Sequence, residues 1–174
     1  MKCWDETSFK EHLGQKTDWS LICGRKYSGT DTIGGIIAKL TSGKILNFDK
    51  IGEEVTKKRL RDPEAEEDAE GPAPVAEVEK DILALIAADK QRGETYNYLF
   101  DGFSHEKAED FLAWATSNLG APNSIIVADC AQKEIETRWC KENEAEAIDP
   151  EKAEELKTEA EAFETQKAAI TEAC

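Results

Sequence analysis

The chain predicts an α/β fold, a three-layer, doubly wound parallel sheet, and three observations carry that prediction. Short apolar runs alternate with amphipathic stripes at helical spacing along the 174 residues. The first run ends at Gly24, and Gly29 closes a glycine-bounded loop from which a helical stripe departs. A later run, Ser124–Ala128, is apolar, as a strand covered on both faces should be. Strands and helices taken in turn place a parallel sheet between two layers of helices. No internal repeat is present.

Residues 19–23 form the first predicted strand, and the helix after it carries Ile33, Ile36, Ile37 and Leu40 on one side. Residues 44–48 are a short second strand. Ile51, Val55 and Leu60 mark the helix that follows it. The stretch 62–74 is acidic, punctuated by Pro and Gly and almost free of large apolar residues, so a mobile loop is expected there. Val75, Val78, Ile82, Leu85 and Ile86 make the next helical stripe. Residues 96–100 are a third strand, ending at Asp101-Gly102. Ala108, Phe111, Leu112 and Ala115 face one way on a helix, and Ser124–Ala128 is the fourth strand. A helix with Ile135 and Trp139 comes next. Asp149-Pro150 then opens a long helix over 150–173. The expected organisation is an N-terminal docking segment, 1–18, followed by one domain, 19–174.

Charge narrows the partners. Acidic residues outnumber basic ones, 37 to 22, for a net charge of −15, which argues against nucleic acid and anionic membranes. No apolar stretch is long enough to span a bilayer, and the N-terminus lacks the apolar core of a secretory signal. Cys3, Cys23, Cys130, Cys140 and Cys174 are scattered without a CxxC pair, which suggests reduced thiols in a cytosol-like compartment. His12 and His105 stand apart from any ligand pattern, so no metal site or cofactor is expected. Glu64, Glu66, Glu67, Asp68 and Glu70 lack the spacing of a Ca²⁺ loop.

The chemistry-bearing stretch is Leu21-Ile22-Cys23-Gly24-Arg25-Lys26-Tyr27-Ser28-Gly29-Thr30-Asp31-Thr32. It has the strand–loop–helix layout in which backbone N–H groups and a helix N-terminus wrap a phosphate. Thr30 stands where a P-loop has its lysine, and Asp31 adds a carboxylate where positive charge is wanted. Ile45-Leu46-Asn47-Phe48-Asp49-Lys50-Ile51, Leu99-Phe100-Asp101-Gly102-Phe103 and Ile126-Val127-Ala128-Asp129 follow in order. Together these segments resemble adenylate kinase and related nucleoside monophosphate kinases, from about Trp19 onward. The second and third match that family's Leu-Ser-Thr-Gly-Asp-Leu-Leu and Leu-Ile-Asp-Gly-Phe-Pro-Arg segments. The resemblance implies vestigial nucleotide-binding positions at Gly24, Lys26, Ser28, Gly29, Thr30, Thr32, Asp101 and Arg138.

The departures shape the functional expectation. The family's phosphate-binding cations fall at Thr30, Gly52 and His105, its lid shrinks to 144–149, and its later arginines find Glu142 or Asn143, Ala147, Asp149, Glu155 and Leu156. One such arginine is worth about 10³–10⁵ in rate. The sequence therefore predicts no catalytic residues and no enzymatic activity: a degenerate, accessory subunit of a larger assembly. A ciliary axoneme is the expected setting, with a mitochondrial complex second. The competing expectation is a weak nucleoside monophosphate kinase or nucleotide sensor using Lys26, Thr32, Asp101 and Arg138.

The family's sheet has a fifth strand that this chain does not show, so an open sheet edge is expected to take a protein partner. Leu156, Phe163 and Ile170 recur every seven residues on the last helix, a stripe that fits a seam against another helix or packing across the chain's own sheet. Trp4 and Phe9 are expected anchors on the docking segment.

Overall fold

The computed structural model describes residues 17–61, 71–103 and 108–172. Its elements run β1 (Trp19–Gly24), α1 (Thr30–Thr41), β2 (Lys44–Asn47), α2 (Phe48–Arg59), α3 (Val75–Gln91), β3 (Tyr98–Asp101), α4 (Ala108–Leu119), β4 (Ser124–Ala128), α5 (Gln132–Glu142) and α6 (Pro150–Glu172). The strands make one all-parallel sheet in the order β2-β3-β1-β4. Leu21 lies opposite Phe100 on one side and Ile125 on the other, and Phe100 opposite Leu46. The chain completes the β2-β3 flank before crossing β1 to lay down β4. That reversal opens a crevice at the carboxyl ends of β3, β1 and β4, the place where α/β sheets bind ligands.

Period-two alternation sorts the strand residues onto two faces. Trp19, Leu21, Leu46, Tyr98 and Phe100 face a core filled by Val78, Ile82 and Ile86 of α3, Phe111, Leu112 and Ala115 of α4, and Ile170 of α6. Aromatic rings fill its centre: Phe111 meets Trp19 edge-on at 6.2 Å and Phe48 at 5.3 Å between centroids. The other face carries Ile22 and Leu99 beneath α1. There Gly34 is buried, and a Cβ on it would already reach Leu99 Cδ2 at 3.5 Å.

That close approach corrects one expectation. α1 meets the sheet through Gly34, so Ile36 is 54% and Leu40 81% exposed and the predicted Ile33–Leu40 stripe is not a buried face. Leu60 is exposed as well; it is the C-cap of α2, one residue past the helix end at Arg59.

A second correction concerns α6. Leu156, Phe163 and Ile170 are buried within the protein's own fold, with α6 packed against α4 and α5. These side chains are therefore not free for a partner helix. The expected start of α6 holds: Asp149 Oδ1 accepts from Lys152 N at 2.8 Å and Pro150 takes the first helical position. β2 and β4 are the two outer strands, and β1 lies inside the sheet. Trp4 and Phe9, and most of the acidic stretch, lie outside the described residues. Among the described residues no helix is long and apolar enough to cross a membrane.

Candidate active site

The loop between β1 and α1 is shaped by two glycines. A Cβ on Gly24 would stand 2.4 Å from Ser28 Oγ, 2.6 Å from the Ala128 carbonyl oxygen and 2.8 Å from Thr30 Cγ2. Nothing larger fits there, because the Ala128 oxygen belongs to the neighbouring strand. Gly29 caps α1 at φ +95°, a conformation that costs a side chain strain. Tyr27 shares the left-handed region at φ 65°. Ser28 N donates to the Arg25 carbonyl at 3.0 Å, which folds the loop over. Ser28 Oγ is buried and has no hydrogen-bond partner among the described residues.

Gly29, the N-cap of α1, has no side chain to bond the first-turn amides, and such amides are open to solvent or an anion. Lys26 is exposed, its ammonium 5.2 Å from the centre of the Tyr27 ring. The loop separates two cavities. One, of about 510 Å³, is lined by Gly24 to Tyr27, Thr30, Asp31, Asn47, Asp49, Asp101, Phe103 and, from α6, Phe163 and Gln166. The other, of about 550 Å³, is lined by Lys26 to Ile33, Arg138 and Glu142.

Carboxylates dominate the first cavity. Asn47 Nδ2 donates to Asp101 Oδ2 at 3.0 Å while its Oδ1 accepts from Lys50 N and caps α2. Burial pushes the Asp101 carboxyl above the usual carboxylate range; the Asn47 hydrogen bond pulls it back, and Asp31 raises it again. Cys23, at the strand end, is buried and its thiol is pushed up to about 11, so it stays protonated. Among the described residues no group of three or more His, Cys, Asp or Glu side chains is arranged to hold a metal ion.

The expected residues divide. Gly24, Lys26, Ser28, Gly29, Thr30 and Thr32 form one loop and helix start, with Arg138 over its far half. Asp101 faces the other cavity with Lys26 and Thr30. Asn47 was missed, although an Asn just ahead of a helix is a capping signal and its register opposite Asp101 puts the two side chains together. Phe163 and Gln166 were missed as cavity residues because nothing local in α6 says which way it folds. His105 lies outside the described residues.

No protein-family model matches the chain, and no curated protein does. Among solved structures it is similar to a crystal structure of a gluconokinase from Sinorhizobium meliloti 1021, at 15% identity and a TM-score of 0.47, over 85% of this chain and 75% of that one. That structure is of a kinase, and the expectation of a non-enzyme is not kept. The likeness concerns the fold alone, and no activity is carried over from it. The all-parallel sheet and the glycine-bounded loop at its carboxyl end give the chain the layout of a P-loop fold.

Proposed function

We propose that this chain binds Mg·ATP at the Gly24–Thr32 loop and works as a slow phosphotransferase on a small acceptor. The observation that carries the reading is the loop's position as a wall between two cavities of similar size that share Lys26, Tyr27, Thr30 and Asp31. A kinase needs that geometry, with donor phosphate and acceptor meeting across one set of backbone amides and one cation. The uncapped amides of α1 and the helix dipole attract the phosphates, and Lys26 is placed to meet them from either side.

The Asp31–Asp101 pair supports the acceptor side. A carboxyl held above its ordinary pKa sits closer to the working pH, which suits a base taking the acceptor proton. Mg²⁺ enters here with the nucleotide, as part of the substrate, and offsets the repulsion between Asp31 and the phosphates. With Thr30 in place of the loop lysine, the transfer rate should fall by about 10³ or more against a fully equipped kinase. The resemblance to nucleoside monophosphate kinases makes a nucleoside monophosphate the first acceptor to try. This reading does not require the ciliary or mitochondrial assembly expected above; a protein partner would add at the outer edge of β2 or β4.

Isothermal titration with Mg·ATP, and then with an analogue bridging both nucleotide sites, tests it. Binding in the micromolar range that weakens about tenfold or more in Lys26→Met supports the reading. No heat at millimolar nucleotide overturns it.

A further inference from the structure

Two arginines join the phosphate loop to α5, one reaching in from the helix and one reaching out from the loop. Arg138, on α5, donates from Nη1 to the Tyr27 carbonyl at 2.9 Å and to the Ser28 carbonyl at 3.0 Å. Its Nε donates to Glu134 Oε1 at 3.0 Å, one turn back on the same helix, which fixes the plane of the guanidinium. Arg25, within the loop, donates to Gln132 Oε1 at 2.8 Å and to the Cys130 carbonyl. The first half of the loop is thereby tied to the start of α5, and the second half to its last turns.

These bonds have a directional consequence. A trans peptide points its C=O and the next N–H to opposite sides. Holding the Ser28 carbonyl toward Arg138 turns the Gly29 N–H away from it. The left-handed Tyr27 and Gly29 are the joints that let the carbonyls of residues 27 and 28 both turn toward α5. Arg138 Nη1 comes within 3.2 Å of where a Gly29 Cβ would be, so a side chain there would press on the guanidinium, while the φ of +95° is what calls for glycine.

We propose that Arg138 is a positioning residue: it holds the second half of the loop from α5 and sets the direction of the amides that receive phosphate, without itself contacting the phosphate. This replaces the expectation that Arg138 binds nucleotide directly. The affinity arm of the test rests on the proposed nucleotide binding; the loop arm does not.

The test compares wild type with Arg138→Gln and Arg138→Lys. Without nucleotide, limited trypsin digestion read by mass spectrometry reports cleavage after Arg25 and Lys26, while thermal melts report the whole fold. The expected result is cleavage about tenfold faster in Arg138→Gln at an unchanged melting midpoint. Arg138→Lys, whose ammonium also donates to both carbonyls, should restore most of the protection. Titrations with Mg·ATP, Mg·ADP and pyrophosphate should then weaken by one common factor in Arg138→Gln. An unchanged cleavage rate, or a loss confined to Mg·ATP, overturns the proposal. Failure of all three ligands to bind wild type would instead overturn the nucleotide reading, and the digestion would still decide the role of Arg138.

Discussion

At the amino ends of the strands, Asp89 is wholly enclosed, and Lys44 reaches both its oxygens at 3.0 and 2.7 Å. Tyr98 Oη donates to it at 2.9 Å and Arg92 closes the set. At the carboxyl ends, Asp31, Asp49 and Asp101 line an open cavity, and Asp101 has Asn47 as its neutral donor. The same residue type is held below its ordinary pKa by its partners at Asp89, and pushed above it, chiefly by burial, at Asp101. The amino end joins α3 to β2 and β3, so its charges are spent on structure. The carboxyl end leaves its groups available for chemistry, as sites on α/β sheets do. The division has an exception: Asn97 Oδ1, at the amino end, has no partner among the described residues.

Removing Asp89 should have the largest effect. Asp89→Ala strands Lys44 and Arg92 beside a void, and a loss of about 3 kcal/mol is expected by urea denaturation. Burial alone would raise the Asp89 carboxyl, but hydrogen bonds from Lys44 and Tyr98 and the charges of Lys44 and Arg92 hold it below its ordinary 3.8. A depressed carboxyl contributes stability above its unfolded pKa and loses it as pH falls through the folded one. Wild type should therefore lose stability below pH 3.8 more steeply than Asp89→Asn. Equal slopes would mean that the amino end is not an ionic clamp.

Gly24→Ala strikes the other end. Its Cβ collides with the Ala128 carbonyl oxygen, which cannot move without shifting β4, so a loss of about 1–3 kcal/mol in thermal melts is expected together with loss of Mg·ATP binding. A variant that melts and binds like wild type would show that the loop is not held against the sheet.

Asp101→Asn should act in the opposite sense to Asp89→Ala. A carboxyl raised on folding gives its full stability below the unfolded pKa and loses it as pH climbs through the folded value. The substitution removes that loss, so a gain of up to about 1 kcal/mol at pH 7 is expected, with phosphoryl transfer abolished. A loss of stability at pH 7 would make Asp101 a second clamp and erase the contrast between the ends. Leu40→Lys touches neither end and, at 81% exposed, should change stability by no more than about 0.5 kcal/mol in circular-dichroism melts.

Much of the sheet was legible because its signals are local. Ser124–Ala128 is apolar and bounded by turn residues, and the Asp149-Pro150 pair marks a helix start by its own chemistry. The loop was legible because two glycines and the helix after them keep a fixed spacing. Relations between segments were hidden. Asp89 follows Val78, Ile82 and Ile86 at helical spacing, yet a carboxylate there reads as a solvated flank until Lys44, Arg92 and Tyr98 converge on it. Leu156, Phe163 and Ile170 form the same narrow stripe whether the neighbour is another chain or α4 and α5. Arg138 was singled out as a cation, but its role depends on which carbonyls it meets, and spacing carries no trace of that.

The strand order also governs how the protein can come into being. β1 is the first strand to be synthesised, and both its neighbours, β3 and β4, are encoded far downstream. Its unpaired edges, with Leu21 and Ile22 on them, must wait on the ribosome until the second half of the chain has emerged. Such long-range parallel pairing folds slowly and leaves apolar strand exposed meanwhile. Nascent chains halted before β4 should thus be the ones that chaperones hold and proteases find.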